Sequence, residues 1–111
     1  MNLDAIRGED EILRVLRAAQ ERIRLPENWC QGHLHQTRNG KDQWCAIGSF
    51  ELAKTIGAWA SAWGLLWQAA NELGHDGIVM LNNETDHPTV MAMFERAQEL
   101  RLADMLEAAV A

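Results

Sequence analysis

Between Trp29 and Phe50 the chain gathers Cys30, His33, His35 and Cys45 with Trp29 and Trp44, so both cysteines, two of the four histidines and two of the five tryptophans share one stretch. Thiolates and imidazoles in this number suit tetrahedral zinc. On a strand, His33 and His35 would share a face at i, i+2. The spacing Cys-x2-His-x-His-x9-Cys, however, lacks the paired Cys-x2-Cys knuckles of common zinc modules. The competing reading makes Cys45 a small buried hydrophobe and leaves both histidines solvated on a hairpin. No cofactor is expected, and zinc is the metal this set of residues would admit.

A second chemistry is nucleophilic: Cys45 attacking with His35, His75 or His87 as base and an Asp or Asn to orient it. Cys45 falls near an expected helix N-terminus, but no family signature of cysteine enzymes surrounds it, and no catalytic residue is assigned. Third, Trp29 and Trp44 flank the hairpin and could line a groove for a small nucleotide, whereas Trp59, Trp63 and Trp67 at i, i+4, i+8 read as core. Asn82, Asn83 and Asp86 are either polar ligands of a pocket or turn formers ahead of a helix cap, and turn chemistry favours the second.

These residues need elements to hold them. Arg38-Asn39-Gly40-Lys41 reads as a two-residue type I′ hairpin loop, because Asn and Gly tolerate positive φ. Counting outward sets Gln36 opposite Gln43, His35 opposite Trp44 and Leu34 opposite Cys45. Before the hairpin, Ile12, Leu16, Ala19 and Ile23 make the apolar stripe of a helix starting near Asp10 and stopped by Pro26. After it, Trp44 to Thr55 turns helical, with Ala46, Phe50, Ala53 and Gly57 on one face. Gly48 there is expected to let the helix approach the Trp-rich one closely.

A third helix covers Trp59 to Leu73, with Trp59, Trp63, Leu66, Trp67 and Ala70 as its apolar face and Gly74 as its stop. Ile78 to Leu81 is expected to be extended, and Asn82 to Asp86 a turn. Pro88 sits early in a final, longest helix in which Val90, Phe94, Ala97, Leu100, Met105 and Ala108 keep helical spacing. The expected fold is mainly α: about four helices around one core with a small inserted β-hairpin. Residues 1–111 form a single domain, of which 1–8 are a loose lead-in.

Charge narrows function. A net charge of −6 disfavours nonspecific nucleic-acid binding, which needs cations for the phosphate backbone. No apolar run is long enough to span a bilayer and the charged start is no secretory signal, so a cytoplasmic protein with reduced thiols is expected, a Cys30–Cys45 disulfide being the lesser alternative. Trp29, His33, His35, Arg38, Lys41 and Trp44, with Asn82, Asn83 and Asp86, form the candidate binding set, and acidic residues with the exposed hairpin form the expected contact surface. A homodimer is compatible with the sequence.

Pro26-Glu27-Asn28-Trp29, Gln31-Gly32, Trp44-Cys45-Ala46-Ile47-Gly48, Leu81-Asn82-Asn83 ahead of Val90, and Phe94-Glu95-Arg96-Ala97 together resemble a family of small uncharacterised proteins of bacteriophages and actinobacterial genomes, a domain of unknown function. The family's Trp-Asn-Asp is Leu81-Asn82-Asn83 here, which removes an aromatic and a carboxylate from that corner. The resemblance covers most of residues 12–103. It implies an origin in phage or mobile elements, whose small acidic proteins are often accessory factors that bind and block a host protein. Defence complexes such as CRISPR effectors are among those targets. The leading expectation is therefore a non-enzymatic, anti-defence inhibitor of a host protein or protein complex in a bacterial cell. The alternative is a small-molecule or zinc-binding protein, sequestering or hydrolase-like, built on the Trp29 to Cys45 region.

Overall fold

The computed structural model describes residues 10–51 and 58–110. In order come helix α1 (Glu11–Arg22), a single 3-10 turn (Pro26–Asn28), strands β1 (His35–Arg38) and β2 (Lys41–Trp44), and helices α2 (Ala46–Glu51), α3 (Trp59–Glu72), α4 (Ile78–Glu84) and α5 (His87–Val110). The expected lead-in over 1–8 and the helical positions Ala53 and Gly57 lie outside the described residues. Mainly helical architecture with one small antiparallel hairpin is what the hydrophobic spacing implies.

α1 begins where a cap can be made. The Asp10 carboxylate accepts from Leu13 N–H at 2.9 Å, satisfying one of the helix's orphan donors. Leu13, Val15, Leu16 and Ala19 are buried along it. Arg101 on α5 donates to the same carboxylate at 2.7 and 3.1 Å, so the cap also ties the two helices together. The Arg101 hydrogen bond, reinforced by the Leu13 N–H, holds the Asp10 carboxyl below its ordinary range against the opposing effect of burial. A carboxylate lowered in the native state adds stability that is complete above the ordinary carboxylate range and is lost as pH falls through the lowered value. An Asp10→Asn protein keeps a capping side chain, and urea titrations at pH 7 and pH 3 should show a smaller acid loss than in the parent protein. An equal acid loss in both would remove Asp10 from that role.

The hairpin has the register the turn implies: His35 faces Trp44, Gln36 faces Gln43, Thr37 faces Asp42 and Arg38 faces Lys41. Asn39 and Gly40 take φ of 53° and 76°, as a type I′ turn requires. On one face Asp42 accepts from His35 Nε2 at 3.0 Å and Thr37 Oγ1 at 3.1 Å; on the other, Gln36 donates to Gln43 at 2.7 Å.

The core is one cluster in which Phe50 of α2, Leu66 of α3, Leu81 of α4 and Phe94 of α5 meet Leu16 and Ile23. Each such side chain contributes roughly 1.5–3 kcal/mol by leaving water. Two expectations change. α3 turns Ala62, Leu66, Ala69 and Ala70 inward, while Trp67 is 53% exposed. A four-residue step advances about 400° around a helix, so Trp59, Trp63 and Trp67 drift off one face. Trp59 and Trp63 stay on the flank, with ring centroids 5.6 and 5.7 Å from Phe50, and Trp67 passes out to solvent. The segment from Ile78 is a helix and not extended, because Ile78, Leu81 and Asn82 are the buried residues and their i, i+3, i+4 spacing needs a helical turn.

Candidate functional site

α4 carries the polar centre of the molecule. Asn82 is 1% exposed, and a buried side-chain amide must find partners for its oxygen and nitrogen. Its Oδ1 accepts from Trp29 Nε1 at 2.7 Å and from the Ala46 backbone N–H at 2.9 Å. Its Nδ2 donates to the Cys30 carbonyl at 3.1 Å and to Asn83 Oδ1 at 3.1 Å. One side chain thus joins the segment before the hairpin, the first residue of α2, and α4. Of the turn and cap expected over Asn82 to Asp86, only the cap is found, since Asn82 and Asn83 lie within α4. Thr89 N–H and Oγ1 donate to Asp86 Oδ1 at 3.0 and 2.6 Å, and these bonds hold the Asp86 carboxyl below its ordinary range.

Around Asn82 the same interface is stitched twice more. Gln31 Nε2 donates to the carbonyls of Asn82, Asn83 and Thr85 at 3.1, 3.3 and 2.8 Å, covering carbonyls that the end of a helix leaves without partners. Gly32 N–H donates to Asn83 Oδ1 at 2.9 Å. Gln31 is absent from the candidate binding set; its place beside Gly32, in the same stretch as Trp29, is the signal that could have found it. Trp29 and His87 also form an edge-type ring pair, centroids 5.8 Å apart and planes 62° apart. His87 Nε2 donates to the Ile23 carbonyl at 2.7 Å.

The two thiols flank this hub. Cys30 N–H donates to the Trp44 carbonyl at 3.1 Å and Cys45 N–H to the Leu34 carbonyl at 3.3 Å. The Cys30 thiol donates to the His33 carbonyl at 3.4 Å. Burial and, secondarily, the neighbouring Cys45 push the Cys30 thiol up. Cys45 Sγ accepts from the Gly48 N–H at 3.3 Å, in the place a capping oxygen takes at other helix starts.

The structure does not bring the candidate ligands together. Among the described residues no three His, Cys, Asp or Glu side chains gather where they could hold a metal ion, and no imidazole is hydrogen-bonded to the Cys45 sulfur. His35 is engaged with Asp42, whose carboxyl is lowered first by that bond and then by Thr37. His75 Nδ1 lies 3.9 Å from Glu84. Trp44 is half-buried, stacked by His35 at 5.2 Å and by the Arg22 guanidinium at 5.0 Å. His33, His35, Arg38 and Lys41 are exposed.

Larger, more polar hollows of about 410 and 290 Å³ lie along the hairpin beside Arg38 and Gln43; the most apolar one, about 140 Å³, sits between the hairpin lead-in, the start of α2 and α4, lined by Gly32, His33, Leu34, Cys45, Ile47, Val79, Asn82 and Asn83. Leu34 and Val79 on its rim are 59% and 52% exposed. Drug-sized ligands occupy about 300–1,000 Å³, whereas a cavity near 150 Å³ accepts a group the size of benzene. The hollow therefore matches one apolar side chain better than it matches a nucleotide.

No helix among the described residues is long and apolar enough to cross a membrane. Residues 8–100 match a protein-family model whose description is a family of unknown function. No curated protein and no solved structure matches the chain.

Proposed function

The chain belongs to DUF6197, a family of unknown function, and from its geometry we propose that it acts by binding another protein and not by catalysis. In this reading it is an anti-defence accessory factor of the phage or mobile-element type that blocks a host complex. The hollow rimmed by Leu34 and Val79 carries the proposal. Two large apolar side chains frame a cavity sized for a single anchoring side chain, the usual centre of a protein interface. By contrast, three of the candidate groups for a small polar ligand, Trp29, Asn82 and Asn83, are spent on internal hydrogen bonds.

Charge suggests the rest of the partner's chemistry. Eight of the sixteen acidic residues lie from Glu72 onward against two of the ten basic ones, so the net charge of −6 resides in the segment containing α4 and α5. Those two cations are engaged, Arg96 by Glu72 and Glu99 and Arg101 by Asp10. A partner that offers one apolar side chain on a basic surface would complement both features.

A photo-crosslinking residue placed at Val79, with Asp104 as the control position, tests this in bacterial host lysate. The expected outcome is one dominant adduct from position 79, absent from position 104, weakened by added salt and abolished by Leu34→Asp. Equal adducts from both positions, or an adduct indifferent to Leu34→Asp, would defeat the proposal. Retention of a stoichiometric small ligand on native mass spectrometry would favour the small-molecule alternative instead.

A further inference from the structure

Trp29 and Trp44 form an isolated parallel β-bridge, and Cys30 N–H donates to the Trp44 carbonyl at 3.1 Å. The next residue in each segment is a cysteine. Neighbouring backbone segments in a ladder run about 4.8 Å apart, and disulfides span Cα separations of about 4.4–6.8 Å. Both cysteines are free and shielded, at 5% and 8% exposure. We propose that Cys30 and Cys45 are a reversible thiol–disulfide pair, closed by hydrogen peroxide.

The two thiols have different roles. Cys45 lines the hollow of about 140 Å³, through which a peroxide reaches its sulfur. Its sulfur is also positioned by the Gly48 N–H, a donor that stays in place as the sulfur gains electron density. Cys30 points to the His33 carbonyl and has its thiol pushed up by burial and by Cys45 beside it, which suits a resolving thiol more than an attacking one.

The chemistry balances in two steps. The Cys45 sulfur, its proton lost to solvent, attacks one peroxide oxygen; the O–O bond breaks, a sulfenic acid forms and hydroxide leaves to become water with that proton. Cys30 sulfur then attacks Cys45 sulfur; the S–S bond forms, the S–O bond breaks and the hydroxyl leaves as water with the Cys30 proton. Both sulfurs are oxidised, both peroxide oxygens are reduced, and a dithiol reductant reverses the sequence. Cys45 lines the hollow, so oxidation at its sulfur would change that cavity whatever docks there.

The test is peroxide titration of the folded protein, read by intact mass and by mapping of cross-linked peptides. The expected product is a monomer lighter by two hydrogens, with a Cys30–Cys45 link that dithiothreitol reopens. In Cys30→Ser the same dose should leave Cys45 as sulfenic acid, trapped by dimedone, and then as sulfinic acid; in Cys45→Ser, Cys30 should stay unmodified. A disulfide-linked dimer as the main product, sulfinic acid at Cys45 of the parent protein without the link, or two inert thiols would each overturn the proposal. Mapping the parent protein decides the matter even if a serine variant fails to fold.

Discussion

An Asn82→Leu protein is expected to lose about 3–5 kcal/mol of stability, the range for stranding several buried polar groups. Leucine is close in size and apolar, so the loss would not come from a cavity. It would come from the Trp29 Nε1–H, the Ala46 N–H and the Cys30 carbonyl, each left facing a side chain that can neither donate nor accept. Against a total stability of about 5–15 kcal/mol for an ordinary domain, that is enough to unfold a marginal one. Urea denaturation with Trp fluorescence measures it. Trp29→Phe, which strands only Asn82 Oδ1 in part, should cost about 1–2 kcal/mol. The double variant should cost less than the sum, because both changes delete the same bond. Additive losses would mean that Asn82 and Trp29 stabilise the fold independently.

A Gly48→Ala protein is expected to be destabilised by about 3 kcal/mol or more, at or beyond the upper end of usual overpacking costs. A Cβ on Gly48 would stand 1.8 Å from the Leu34 carbonyl oxygen and 2.7 Å from its carbon. Backbone atoms cannot swing aside as a side-chain tip can, and this carbonyl is also held by the Cys45 N–H. Relief would have to come from moving the hairpin lead-in off α2, which would open the hollow as well. Gly64 is the control within the same chain. It is a helical glycine at which an added methyl would meet nothing within 4 Å, and Gly64→Ala should raise stability by about 0.5–1 kcal/mol through helix propensity. If Gly48→Ala were as benign as Gly64→Ala, the close approach of α2 to Leu34 would be refuted. The close approach expected of Gly48 was toward the Trp-rich helix; its neighbour is instead the chain just before β1.

The hairpin and the helices were legible because local rules decide them. Asn39-Gly40 selects a turn, the turn sets the register, and apolar residues at helical spacing mark α1, α3 and α5. Asp86 was readable as a cap by the same local chemistry, while Asp10 was readable only as the place where α1 begins. Ile78 to Glu84 was not legible. Four consecutive apolar residues carry no period, and its helical form depends on burying Ile78, Leu81 and Asn82 while leaving Val79 and Met80 outside.

The candidate site divides along the same line. The residue types were visible in the sequence: the Trp29, Cys30, Cys45 and Asn82 that surround the hub all stood out, as did the exposure of His33, His35, Arg38 and Lys41. Their partnerships were not visible. Asn82 lies 53 positions from Trp29 and 36 from Ala46, and no local pattern encodes bonds across such separations. By itself the sequence determined the helix stripes, the hairpin turn, the cap of the last helix and the acidic charge, since each depends on neighbours within one or two turns of chain. Only the tertiary structure decided that the polar residues stitch α4 to the hairpin and spare a small apolar hollow, because burial and hydrogen-bond closure depend on which distant segments meet.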